Sequence, residues 1–199
     1  MPGRGRRAQR ALTDAGARAL FLPTDVAEPR SVERSVGAAL RRFGRLDCVV
    51  NNAGVLRAGP LVRLPLRDLE RMLAVNLLGP LIVSRAVLPA MLRRGSGSIV
   101  NVASQLGKSG IADFVTYCAT KFAVVGFTEA LADELRSTGV RVWSVCPGLV
   151  DTEMARRAVG ITGRERAGLI RPESVARTIV ALAAGERRAP SGAAVDVLR

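Results

Sequence analysis

Leu46-Asp47-Cys48-Val49-Val50-Asn51-Asn52-Ala53-Gly54 decides how this chain folds. A short valine-rich run reads as a buried strand, and it empties into two asparagines, an alanine and a glycine. Small residues at that point let a backbone approach a flat ligand, and Gly54 supplies a conformation that other residues resist. A plain turn is the other reading of the same four residues.

Outward from this stretch, strand-like and helical runs alternate, the pattern of an α/β, doubly wound parallel sheet. Before it come a helix over 6–15 ended by Gly16, a short apolar strand over 18–24, and a helix over 31–43 with Val32, Val36, Leu40 and Phe43 on one face. After it come a helical region over 66–94 with a break near Gly79-Pro80, a strand over 97–103, and a helix over 114–137 stopped by Gly139. Then follow a strand over 140–146 closed by Pro147-Gly148, a polar stretch over 150–168, a helix over 172–184 opened by Pro172, and a last strand over 193–198. Neither repeats nor linkers interrupt this order, so residues 1–199 read as a single domain.

Composition narrows the function. A chain of 199 residues, nearly half hydrophobic, can bury a substantial core. No apolar run reaches the ~18–20 residues that span a bilayer, which predicts a soluble, cytoplasmic protein without a membrane partner. The net charge of +13 raises nucleic-acid binding. However, beyond Arg4, Arg6, Arg7 and Arg10 the arginines are scattered in ones and twos, and aromatics for base stacking are few, so no nucleic-acid partner is expected. There is no histidine, which excludes a Ser-His-Asp triad, a His-ligated zinc and a His base. Cys48, Cys118 and Cys146 lie far apart with no C-x-x-C, and read as reduced, buried small hydrophobes. Acid/base work falls to Tyr, Lys, Asp or Glu, and no metal site is expected.

Tyr117-Cys118-Ala119-Thr120-Lys121 places a phenol and an ammonium on one helical face, a turn apart. A nearby ammonium favours phenolate, which makes tyrosine a usable acid/base. Ser104 ends the strand over 97–103, where ligands of parallel sheets bind, and its hydroxyl could hold a substrate carbonyl. Asn76 is intrinsically a poor helix residue, so it either bridges groups near the site or is simply exposed. Pro147-Gly148-Leu149-Val150-Asp151-Thr152 ends another strand and could position a flat amide ring.

The series Asp25, Asn51-Asn52-Ala53-Gly54, Asn76, Ser104, Tyr117-x-x-x-Lys121 and Pro147-Gly148-x-Val150-x-Thr152 resembles the short-chain dehydrogenase/reductase family over nearly the whole chain. The resemblance implies a Rossmann-like fold and hydride transfer between NAD or NADP and a small-molecule carbonyl or secondary alcohol. It implies Tyr117 as acid/base, Ser104 orienting substrate, Lys121 binding the nicotinamide ribose and lowering the tyrosine pKa, and Asn76 holding a relay water. Asp25 and Val26 would flank the adenine. Asn51, Ala53 and Gly54 would line the ribose side, with Pro147, Gly148, Val150 and Thr152 at the nicotinamide. Members often form dimers or tetramers through two long helices, here 66–94 and 114–137.

The family's opening strand, its T-G-x-x-x-G-x-G turn and the helix after it have no counterpart here. The resemblance therefore implies a fold lacking the first two strands and first helix, with the strand over 46–50 left as an edge. It also leaves open a non-catalytic member acting through oligomerisation. The stretch over 153–169, with Met154, Val159, Ile161 and Leu169 among arginines, suits an apolar substrate, with or without an acidic tail, and equally a helical lid packing on the core, and the lid is the preferred reading.

Overall fold

A computed structural model describes residues 2–160 and 168–198. Four strands, β1 (Cys48–Asn51), β2 (Gly97–Val102), β3 (Val140–Pro147) and β4 (Ala194–Val197), form one sheet in the order β1-β2-β3-β4, and every neighbouring pair is parallel. Parallel neighbours need crossovers, and helices supply them on both faces. Seven helices are described: α1 (Pro2–Asp14), α2 (Pro29–Phe43), α3 (Leu66–Leu73), α4 (Gly79–Arg94), α5 (Val115–Glu134), α6 (Glu153–Val159) and α7 (Pro172–Ala184).

Strand alternation divides the core in two. Ile99, Val140 and Val142 pack with Val87 and Met91 of α4 and Leu131 of α5. Their neighbours Val100, Trp143 and Val145 face the other way, onto Val175 and Leu182 of α7. This two-sided burial is why the strands read as continuous apolar runs.

Three expectations are corrected. The strand over 18–24 does not form: among the described residues no strand lies beside this stretch to complete a ladder. It packs instead under α1, where Gln9 Oε1 accepts from Phe21 N–H at 2.6 Å and Gly5 faces the Phe21 ring. Gly79-Pro80 does not break the helical region over 66–94. A π turn, Ala74–Leu78, joins α3 to α4 without interruption, and Pro80, which has no N–H to give, falls where the ladder already widens. Gly139 is not the stop of α5, which ends five residues earlier at Glu134; a Cβ at Gly139 would lie 1.8 Å from the Gly95 carbonyl oxygen, so glycine is needed there for close approach.

The uninterrupted Leu66–Arg94 helix is also long and apolar enough, by length and composition, to cross a membrane, which corrects the expectation that no segment is. Its inward face carries Met72, Val75, Asn76, Pro80, Ser84, Val87 and Met91, all buried, as in the core helix of an α/β domain. β1 is an edge strand, as its position in the resemblance implied, with Val50 41% exposed. The polar stretch over 150–168 holds a helix, α6, capped by Thr152 Oγ1 accepting from Ala155 N–H at 3.2 Å. The portion of the expected lid over 161–167, including Ile161, lies outside the described residues.

Candidate active site

The carboxyl ends of β2 and β3 open into a cavity of about 780 Å³, walled by α5 on one side and by α6 and α7 on the other. Ser104, Tyr117, Lys121, Gly54, Pro147, Gly148, Val150 and Thr152 all line it. Ser104 leaves β2 as the cap of a 3₁₀ turn, Gln105–Gly107, and its Oγ accepts from Leu106 N–H at 3.1 Å. Tyr117 lies in the first turn of α5, and Lys121 follows one turn later with its Nζ 5.5 Å from the tyrosine ring centroid. Lys121 Nζ also donates to the Val102 carbonyl at 2.7 Å, tying α5 to the end of β2.

Burial governs both ionisations. It pushes the Tyr117 phenol up to about 12, and the Ser104 hydroxyl beside it pulls only partly the other way. It pushes Lys121 down to about 8. The expected lowering of the tyrosine by the lysine does not occur in the free chain: desolvation of the phenol dominates, and the group that opposes it is the Ser104 hydroxyl.

Asn76 is 1% exposed, in the π turn. Its Oδ1 accepts from Val55 N–H and its Nδ2 donates to Val55 O, both at 2.8 Å, while Nδ2 also reaches Thr120 Oγ1 at 3.3 Å. Thr120 Oγ1 in turn donates to the Tyr117 carbonyl at 2.8 Å. The side chain thus braces the loop after β1 against α5, the helix that carries Tyr117.

The remaining expected contacts separate. Val26, Asn51 and Ala53 line a second groove of about 180 Å³ beside β1, with Gly79 and Pro80. Val26 packs on Gly79, where an added Cβ would sit 2.9 Å from Val26 Cγ2. The Asn51 amide turns inward and donates to Asn101 Oδ1 at 2.8 Å, and Asn101 Nδ2 donates to Thr128 Oγ1 at 2.9 Å. Asp25 lines neither cavity; its carboxylate accepts from Ala27 N–H at 3.0 Å and shapes the turn before α2.

Sequence reading missed a second set of residues that hold Ser104. Gln105 Nε2 donates to the Cys146 carbonyl at 2.9 Å and to Asp196 Oδ1 at 2.6 Å. Lys108 Nζ donates to the same Asp196 oxygen and to Ala194 O, and holds the Asp196 carboxyl below its usual range. The only sequence signal is polarity one and four residues after Ser104, at Gln105 and Lys108. Gly107 lies against α5, where a Cβ would be 2.7 Å from the Lys121 carbonyl oxygen. The cysteines form no disulfide, with Cys118 and Cys146 buried and Cys48 partly so. Among the described residues no cluster of potential metal ligands occurs.

A parallel sheet wound on both faces, with a serine, a tyrosine and a lysine converging at its carboxyl end, is the architecture of a nucleotide-binding α/β domain. The chain belongs to the short chain dehydrogenase family, whose model matches residues 2–160. It is 43% identical over 145 residues to D-threitol dehydrogenase of Mycolicibacterium smegmatis, covering 73% of this chain and 55% of that protein. It is 35% identical over 170 residues to ketoacyl reductase HetN of Nostoc, covering 85% of this chain and 59% of that one. It is 38% identical over 178 residues to 3-alpha-(or 20-beta)-hydroxysteroid dehydrogenase of Mycobacterium tuberculosis, covering 88% and 68%. The chain therefore spans little more than half the length of the first two. The solved structure of ElxO with NADP bound matches with a TM-score of 0.80 at 28% identity, covering 87% of this chain and 74% of that one.

Proposed function

We propose that this chain holds the reaction centre of an NAD(P)-dependent oxidoreductase that interconverts a carbonyl and a secondary alcohol. The observation that carries the reading is the convergence of Ser104, Tyr117 and Lys121 on one cavity at the carboxyl end of the sheet. The NADP bound to ElxO supports the choice of cofactor class.

The donor set suits the nicotinamide end of such a cofactor. Lys121 uses one N–H on Val102 O, and its two other donors have no partner among the described residues. Those donors would take the ribose hydroxyls, while Pro147 and Gly148 leave a flat wall for the ring, flanked by Val150 and Thr152. When bound, the cofactor supplies or accepts the hydride. Tyr117 gives its phenolic proton to the carbonyl oxygen in reduction and takes a proton from the hydroxyl in oxidation. Ser104 orients that oxygen by hydrogen bonding, and the charge on Lys121 favours the phenolate state.

The test is calorimetric titration with NADH and NADPH beside turnover of the Tyr117→Phe variant. Trp143 fluorescence is a poor reporter, since this side chain is 1% exposed and packs toward α7 with Nε1 donating to Ala189 O. Micromolar binding retained by Tyr117→Phe with turnover lost is expected. A folded chain that binds neither cofactor would overturn the reading in favour of a non-catalytic interaction protein.

A further inference from the structure

Six large apolar side chains that stand exposed, Val50, Ile111, Leu149, Met154, Val159 and Val180, line one cavity, the one that holds Ser104 and Tyr117. Single exposed apolar residues are ordinary, but a concave cluster of them marks a binding surface. Helix α7 is built for this purpose on two sides. Thr178 and Leu182 are buried away from the cavity, whereas Val175, Ala176, Ile179 and Val180 border it, Val175 and Ile179 also packing on the core and Val180 standing exposed. Val180 is 61% exposed and so contributes little to the core.

The polar groups of the same cavity are either committed or, like Asn52, Ser104, Tyr117 and Lys121, carried by the segments after β1 and β2 and by α5. Gln105 Nε2 is held by Cys146 O and Asp196, and Thr152 Oγ1 caps α6. Lys121 is the one charged lining residue among the described residues, although the chain carries 30 Lys and Arg. A polyhydroxylated substrate would bury hydroxyls against α6 and α7 without partners, each at a desolvation cost. An acidic substrate would meet no guanidinium among the described lining residues.

We infer that the substrate is an uncharged ketone or secondary alcohol with an extended apolar chain or ring system, seated against α6 and α7. The inference rests on the hydride-transfer reading of this cavity. It is tested by calorimetric binding of 2-butanone, 2-hexanone, 2-octanone and D-threitol to the chain, with and without saturating NADP⁺, which has no hydride to give. Affinity should rise about fourfold per added methylene, roughly two orders of magnitude from 2-butanone to 2-octanone, with D-threitol weakest. Val180→Asp should flatten this dependence without lowering the melting temperature, and Val180→Leu should keep it.

Affinity independent of chain length, or D-threitol binding more tightly than 2-octanone, would overturn the inference. Chain-length-dependent binding without turnover of any alkanone by NADH or NADPH would support the apolar seat and sink the hydride-transfer reading. Turnover of D-threitol with flat alkanone binding would do the reverse.

Discussion

Asn76 grips the backbone of Val55 at both ends, accepting from its N–H and donating to its carbonyl, each at 2.8 Å. Val55 follows Gly54, which lines the cavity, and a third bond runs from Asn76 to Thr120 on the helix that carries Tyr117. One side chain in a π turn therefore fixes two walls of the site. Asn76→Ala leaves both Val55 groups without these partners, for an expected loss of about 2–4 kcal/mol. Asn76→Asp keeps the acceptor but loses both amide donors and turns a buried carboxylate oxygen toward the Val55 carbonyl, so it should be no more stable than the alanine variant. Urea unfolding of the three proteins measures this ordering; a loss below about 0.5 kcal/mol for alanine would show that water replaces the amide.

On the proposed mechanism, Tyr117 makes the two directions of the reaction respond differently to pH. With its pKa near 12 in the free chain, the phenol is protonated throughout the neutral range and ready to act as an acid. Carbonyl reduction should be nearly flat from pH 6 to 8, while alcohol oxidation, which needs the phenolate, should climb with pH over the same range. Tyr117→Phe should cost about 10²–10⁴ in turnover in both directions and abolish the climb. Rates of the forward and reverse reactions against pH decide it, and an equally steep climb for reduction would assign the acid elsewhere.

How much of this was legible depended on distance along the chain. β2, β3 and α7 follow from local signals: apolar runs of strand length, Pro172 at a helix start, Pro147-Gly148 at a strand end. Ser104 and Tyr117-x-x-x-Lys121 could be found because each is a local pattern beside such an element. The apolar stretch over 18–24 reads the same as these strands, but ladder formation depends on a neighbour that composition cannot reveal. The braces around the site were equally hidden, because Gln105 meets Cys146 and Asp196 across 41 and 91 residues. Asn76 looked equally like a surface residue, since its partner Val55 is 21 residues away. Gly107 passed as one glycine among 20.

Gly107 is where the turn after Ser104 touches the helix bearing Lys121. An added Cβ would stand 2.7 Å from the Lys121 carbonyl oxygen and 3.0 Å from its carbon, both backbone atoms that cannot rotate away. Gly107→Ala should push the Ser104 turn off α5, costing about 1–3 kcal/mol of stability and at least tenfold in turnover. Gly110→Ala, three residues on, meets nothing within 4 Å and is the control that should change neither. Thermal melts and steady-state rates on the pair test the contact; equal behaviour would mean the turn moves freely.

Lys121 costs the fold stability for the sake of its charge. At neutral pH its buried ammonium is held by a single carbonyl, and burial brings its pKa down from 10.5 to about 8. Below pH 8 the native and unfolded chains both carry the proton, so the burial cost is fully present. Between about 8 and 10.5 the native lysine gives up its proton while the unfolded one keeps it, and stability rises with pH. Tyr117 then reverses the trend: the unfolded phenol ionises near 10 but the native one only near 12, so stability falls across that interval. Lys121→Met should therefore be more stable than wild type at pH 7, by at most about 3 kcal/mol at about 1.4 kcal/mol per pH unit of displacement. It should also lose the rise above pH 8 while keeping the decline above pH 10, and it should be catalytically dead. Chemical denaturation of both proteins from pH 6 to 11 provides the comparison. A methionine variant less stable than wild type at pH 7 would mean that the bond to Val102, not the buried charge, dominates at this position.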